Sequence, residues 1–163
     1  MPQHDFNFDE LIEYITRGHA FPKHVEGEDT ARHMQGVEAF SETRTNPVGA
    51  NNVRQSLGPS LHINSPEDLA AYTRRMLASP GTEGFVLNSN GVEIYHLYNK
   101  ADNTYLIINP LDRDFGSIQR YPTSEASFTS NKASATRTFD NARNPSAAMD
   151  EVTGFVDNVR NGA

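Results

Sequence analysis

Residues 84–109 read GFVLNSNGVEIYHLYNKADNTYLIIN, and the fold turns on this stretch. Short runs rich in Val, Ile, Phe and Tyr are broken by Ser89-Asn90-Gly91 and by Lys100-Ala101-Asp102-Asn103. Aromatic and β-branched side chains suit a pleated, half-buried surface, and Asn-Gly between two apolar runs is a hairpin signal. A further run, GSIQRYP at 116–122, follows the loop PLDRDF. Together they predict a three- or four-stranded antiparallel meander.

The flanking segments change period. In NSPEDLAAYTRRMLASPG (64–81), Ser65 is a good N-cap, Pro66 occupies the first helical position, Asp68 the third, and Pro80-Gly81 closes the helix. Nearer the N-terminus, NFDELIEYITRG (7–18) puts Phe8, Leu11, Ile12 and Ile15 on one helical face, with Asn7 and Glu10 spaced as a capping box and Gly18 as a stop. Residues 26–61 hold one short helical pattern, ARHMQGVEAF, and then a polar stretch rich in Gly, Pro and Asn that reads as a long loop. Past Pro122, TSEASFTSNKASATRTF is poor in apolar residues and reads as an exposed loop or linker. A last helix is expected in 144–162, where Met149, Val152, Val156 and Val159 share a face. Helices first and strands afterwards argue for an α+β fold, N-terminal helices packed on a small meander with a C-terminal helical extension. The expected division is a domain over 1–123 and a linker plus helix over 124–163 that extends it.

Composition narrows the chemistry. The chain has 163 residues, mean hydropathy −0.62 and no apolar run near the roughly 18 residues of a membrane span. The opening MPQHDFNFDE lacks the charged and apolar regions of a secretory signal, so any export would use a route that does not read one. There is no cysteine, which excludes disulfides, thiolate metal sites and a cysteine nucleophile. The net charge is −7, and the first 45 residues hold nine acids against four bases. No overall basic field advertises nucleic acid, so a phosphate ligand would need a local basic pocket. Neither GxGxxG nor a Walker A loop is present.

The densest titratable stretch is GHAFPKHVEG at 18–27. Lys23-His24 pairs a group that exchanges protons near neutrality with an ammonium that stabilises an anion, which suits phosphoryl transfer. His19, five residues earlier, would point away from His24 on a helix. The plainer alternative makes one histidine a cap of the first helix and the other a surface residue. A metal reading would use His19, His24, Glu26 and Glu28, but the spacing is not HExxH and no second ligand cluster appears. On the strand VEIYHLYN, Tyr95 and His96 face opposite ways; the plainer reading has Tyr95 in the core and His96 half-exposed, and the functional one places an aromatic or the histidine over a substrate base. In GSIQRYP, alternation sends Ser117 and Gln119 to one face, and Ile118 and Arg120 to the other. Arginine matches phosphate oxygens with a planar fork.

The order GHAFPKHV, INSPEDLAAYTRRMLASPGT, VEIYHLYN with TYLIINP, then GSIQRYPT resembles the C-terminal toxin modules of bacterial polymorphic and contact-dependent inhibition toxins. These modules are similar to colicin D and to the barnase, EndoU, colicin and RelE group of small ribonucleases. The resemblance spans about residues 17–123. It implies a metal-independent ribonuclease with no cofactor, acting on tRNA or another structured RNA in the cytoplasm of a target bacterium. A cognate immunity protein would restrain it, and no DNA partner is implied. Residue by residue, His24 matches the catalytic histidine, Lys23 the phosphate-stabilising lysine and His19 the first histidine. Ser117 and Arg120 match the closing-strand hydroxyl and arginine, and Tyr95, with His96 beside it, the hairpin aromatic at the substrate. Such cleavage uses the substrate's own 2′-OH, so the protein supplies a base, an acid and phosphorane stabilisation. The competing expectations are a non-catalytic binding or structural relative, and a toxin acting on a nucleotide such as NAD.

Overall fold

The computed structural model describes residues 7–20, 61–120 and 122–161, and of His19 the backbone only. Helix α1 (Phe8–Ile15) begins as its sequence dictates, with the Asn7 carboxamide accepting the Glu10 amide at 3.0 Å. Leu11, Ile12 and Ile15 are fully buried, a gain of roughly 2 kcal/mol apiece. The chain does not stop at once. It runs through a π-helical turn, Thr16–Ala20, and kinks at Gly18, whose ψ of −121° leaves the helical region. A Cβ at Gly18 would collide with Asp114, so glycine there lets the loop after β3 close over the turn.

Helix α2 (Pro66–Ala78) has the expected cap, Ser65 Oγ accepting the Asp68 amide at 3.0 Å. Its Glu67 takes a hydrogen bond from Arg17 at 2.6 Å, and its Arg74 reaches Asp9 at 2.6 Å, so the two helices are stitched at their exposed edges. Strands β1 (Thr82–Ser89), β2 (Val92–Asn99), β3 (Thr104–Ile108) and β4 (Gly116–Gln119) form the antiparallel meander. Asn90 and Gly91 turn β1 into β2 with φ of 54° and 87°, the left-handed pair that a two-residue hairpin requires.

The segment beyond Pro122 corrects the sequence expectation of an exposed loop or linker. Ser124–Lys132 forms helix α3 and Arg137–Asp140 forms β5, which pairs with β1 and extends the sheet to the order β4-β3-β2-β1-β5. The cause is tertiary: the Phe139 ring occupies the space where a Cβ at Gly84 would stand, so a strand with little apolar content of its own is seated on its neighbour. Helix α4 (Ala147–Asn161) then buries Val152 and Val156 as expected, together with Phe155.

The sheet separates two cores. On one face Val86, Tyr95, Leu97, Leu106, Ile108 and Ile118 meet α1, α2 and α4; on the other, Phe85, Tyr98 and Tyr105 enclose Phe128 of α3. Buried Asn141 links the elements of the first layer. Its Nδ2 donates to the carbonyls of Leu77 and Ser79 at 2.7 and 2.9 Å, and its Oδ1 accepts from the Ala148 amide at 2.7 Å. It satisfies carbonyls at the end of α2 and an amide at the start of α4. The readings of a short helix at 31–40 and a loop at 41–60 lie outside the described residues.

Candidate functional site

The edge strand β4 is where the sequence candidates draw together, and only in part. The π-helical turn that carries His19 packs on β4 and on α2, and Ala20 at its end is fully buried in the helical core, to which Ile118 of β4 also belongs. Lys23 and His24 lie outside the described residues, as do Glu26 and Glu28 of the metal reading. Covalent geometry limits the distance from Ala20 to His24 to about 14 Å along the backbone, four residues at full extension.

Ser117 and Arg120 do not converge, as strand alternation requires. Register aligns Ser117 with Ile107 and Ile107 with His96, so the serine belongs to the α3 face. Its hydroxyl is buried and has no hydrogen-bond partner among the described residues. Arg120 follows β4 and acts on the helical face, where its charge opposes the rise in the Tyr72 pKa. The Tyr72 hydroxyl donates to Asp102 at 2.8 Å and lies 3.0 Å from Thr104 Oγ1. Burial, with Asp102 adding to it, holds that phenol well above its ordinary value, so Tyr72 is a hydrogen-bond donor and not a base. The Tyr72–Asp102 hydrogen bond was hidden from the sequence, because the two residues lie 30 apart in the chain and share no motif. Arg120 and the π-helical turn thus lie on the same face of the sheet, and Ser117 on the other.

Tyr95 and His96 are each buried, on opposite faces. The Tyr95 ring packs against Phe155 at 5.4 Å between centroids, and Arg137 Nη2 donates to its hydroxyl at 3.3 Å. Burial and Glu93 push its pKa up to about 12. Arg137 also pairs with Glu93 and, at 2.9 Å, with Glu151, and those carboxylates raise its own pKa. This hub borders an open groove of about 310 Å³ between β5 and α4, lined also by Asp150 and Gly154. Arg137 lies in the Ser/Thr-rich stretch 123–139, whose composition carries no signal for it.

His96 Nδ1 lies 2.6 Å from the Tyr105 hydroxyl, and its ring is stacked on Phe85 at 4.9 Å and 10°. Burial lowers its pKa to about 4, so the imidazole is neutral at pH 7. It is poorly matched to proton transfer near neutrality.

Among the described residues no group of three His, Asp or Glu could hold a metal ion, and no helix is long and apolar enough to cross a membrane. No protein-family model, curated protein or solved structure matches the chain.

Proposed function

We propose that this chain is a metal-independent endoribonuclease of the bacterial competition-toxin kind, with its site at the β4 edge on the helical face. The observation that carries the reading is the packing of the π-helical turn on β4, the strand that leads into Arg120. It brings the origin of the Lys23-His24 segment and a guanidinium to one edge of one face. In this reading His24 takes the proton from the substrate 2′-OH, Lys23 and Arg120 neutralise the phosphorane, and His19 returns a proton to the leaving 5′-oxygen. The products carry 2′,3′-cyclic phosphate and 5′-hydroxyl ends. The substrate is tRNA or another structured RNA, met in the cytoplasm of a target bacterium, and an immunity protein would cover the β4 edge in the producing cell.

The test is expression of the wild type, His24→Ala and Arg120→Ala in a bacterium, with total RNA and tRNA resolved afterwards, and the purified protein assayed in EDTA. Cleavage by the wild type that survives EDTA and is lost in both variants supports the reading. Toxicity with intact RNA points to a nucleotide such as NAD as the substrate. Absence of both toxicity and cleavage favours a non-catalytic binding module. That second reading is supported by the burial of Tyr95 and His96 and by the separation of Ser117 from Arg120 across the sheet.

A further inference from the structure

Four rings lie on one face of three neighbouring strands: Phe85 on β1, His96 and Tyr98 on β2, and Tyr105 on β3. An antiparallel sheet face carrying adjacent aromatics is a stacking surface for unpaired bases. Here a fifth ring fills it. Phe128 of α3 stacks on Tyr98 at 5.3 Å and 27°, tilts against Phe85 at 4.9 Å, and meets Tyr105 edge-on at 5.6 Å.

The helix that delivers Phe128 is weakly held. Only Ser124 and Phe128 of its nine residues are buried, and its N-cap residue Thr123 makes no side-chain capping bond. Its ties to the sheet include Asn131 Nδ2 to the Tyr105 hydroxyl at 3.2 Å and a half-exposed Lys132–Glu83 pair at 3.1 Å. Few buried contacts and an exposed backbone put such an element at the low-stability end of a fold. Its departure would leave the Tyr105 hydroxyl on His96 Nδ1 but free it to accept from a donor other than Asn131, and would take Glu125, which bears on Tyr98, away with it.

We infer that α3 is a displaceable plug, and that Phe128 occupies the slot of a nucleobase which stacks between Phe85, Tyr98 and Tyr105 when the helix lifts. The slot accepts one six-membered ring, the size of a pyrimidine, and offers the Tyr105 hydroxyl to its polar edge. This rests on the ribonuclease reading for the identity of the ligand as RNA and goes beyond it, since the ring face lies across the sheet from the β4-edge site: the RNA is single-stranded at this point, and the free protein covers this second face.

The experiment uses the full chain and a short 2′-O-methyl oligouridine, which lacks the hydroxyl nucleophile and so reports binding without cleavage. The chain has no tryptophan, so tyrosine emission and the ring resonances of Tyr98, Tyr105 and His96 can be followed directly. Phe128→Ala is expected to bind roughly tenfold more tightly than the wild type, within the range of one stacking contact. A second variant, Ser127→Ala with Thr129→Ala and Ser130→Ala, raises helix propensity at exposed positions and is expected to weaken binding several-fold. If Phe128→Ala does not fold, the comparison of the triple variant with the wild type decides. Absence of binding in the wild type and in every folded variant overturns the plug, as does binding that leaves the three rings unperturbed. Binding on the rings without RNA cleavage by the wild type would instead remove the ribonuclease reading and leave the plug standing.

Discussion

The imidazole of His96 is clamped between the Phe85 ring and the Tyr105 hydroxyl, 2.6 Å from its Nδ1, with 7% of the residue exposed. Its pKa is lowered to about 4 by burial, against about 6.5 in an unfolded chain. The unfolded chain therefore takes up the proton first. The stability His96 contributes is full above about pH 6.5 and drains away as the pH falls towards 4, by up to about 3 kcal/mol. Thermal melts across that window should fall steeply for the wild type and less steeply for His96→Gln. Parallel curves would show that the fall has another origin.

Asn141 should be among the least tolerant positions. Replacement by Ala leaves two buried carbonyls and one amide without their partner, and a cost of about 3 kcal/mol is expected in urea unfolding. Asn141→Asp should be no better, because a carboxylate would face two carbonyl oxygens. A cost below about 1 kcal/mol for both would mean that the α2–β5–α4 junction is held by packing alone.

Arg137 bridges two carboxylates with one fork. Because all three groups are partly exposed, Arg137→Ala is expected to cost only about 1 kcal/mol, and less at high salt. Lysine should not restore it, since a single ammonium cannot hold both carboxylates in the same geometry. Full recovery in Arg137→Lys, measured by denaturation at low and high salt, would contradict this account.

Ser117 and Arg120 separate structure from activity. The Ser117 hydroxyl is buried without a partner among the described residues, so Ser117→Ala should leave stability unchanged or raise it slightly. If it also cleaves RNA as fast as the wild type, the serine has no part in the site. Arg120→Ala is expected to cut cleavage by roughly 100-fold, the scale of one lost transition-state donor, with the melting temperature held within a few degrees. Undiminished activity there would move the site away from the β4 edge.

The caps and the hairpin were legible because their causes are local. Ser65-Pro66 starts α2 and Asn90-Gly91 reverses the chain whatever lies across the fold, and the α1 stripe is set by side-chain spacing alone. Strand alternation likewise separates Ser117 from Arg120 on local grounds alone. The candidate site was less legible: that the π-helical turn packs on β4 depends on Gly18 lacking a Cβ beside Asp114, a contact 96 residues away in the chain.

By itself the sequence determined the α+β class, the starts of α1 and α2, the meander and its turns, and the absence of any thiol chemistry. Only the tertiary structure decided that Arg137–Asp140 is a strand, that α3 covers the aromatic face, and that Asn141 joins three elements. Those features arise from partners distant in the chain. A four-residue polar strand has no signature until Gly84 opens a seat for Phe139, and a helix with one buried ring has none until Phe85, Tyr98 and Tyr105 are brought around it.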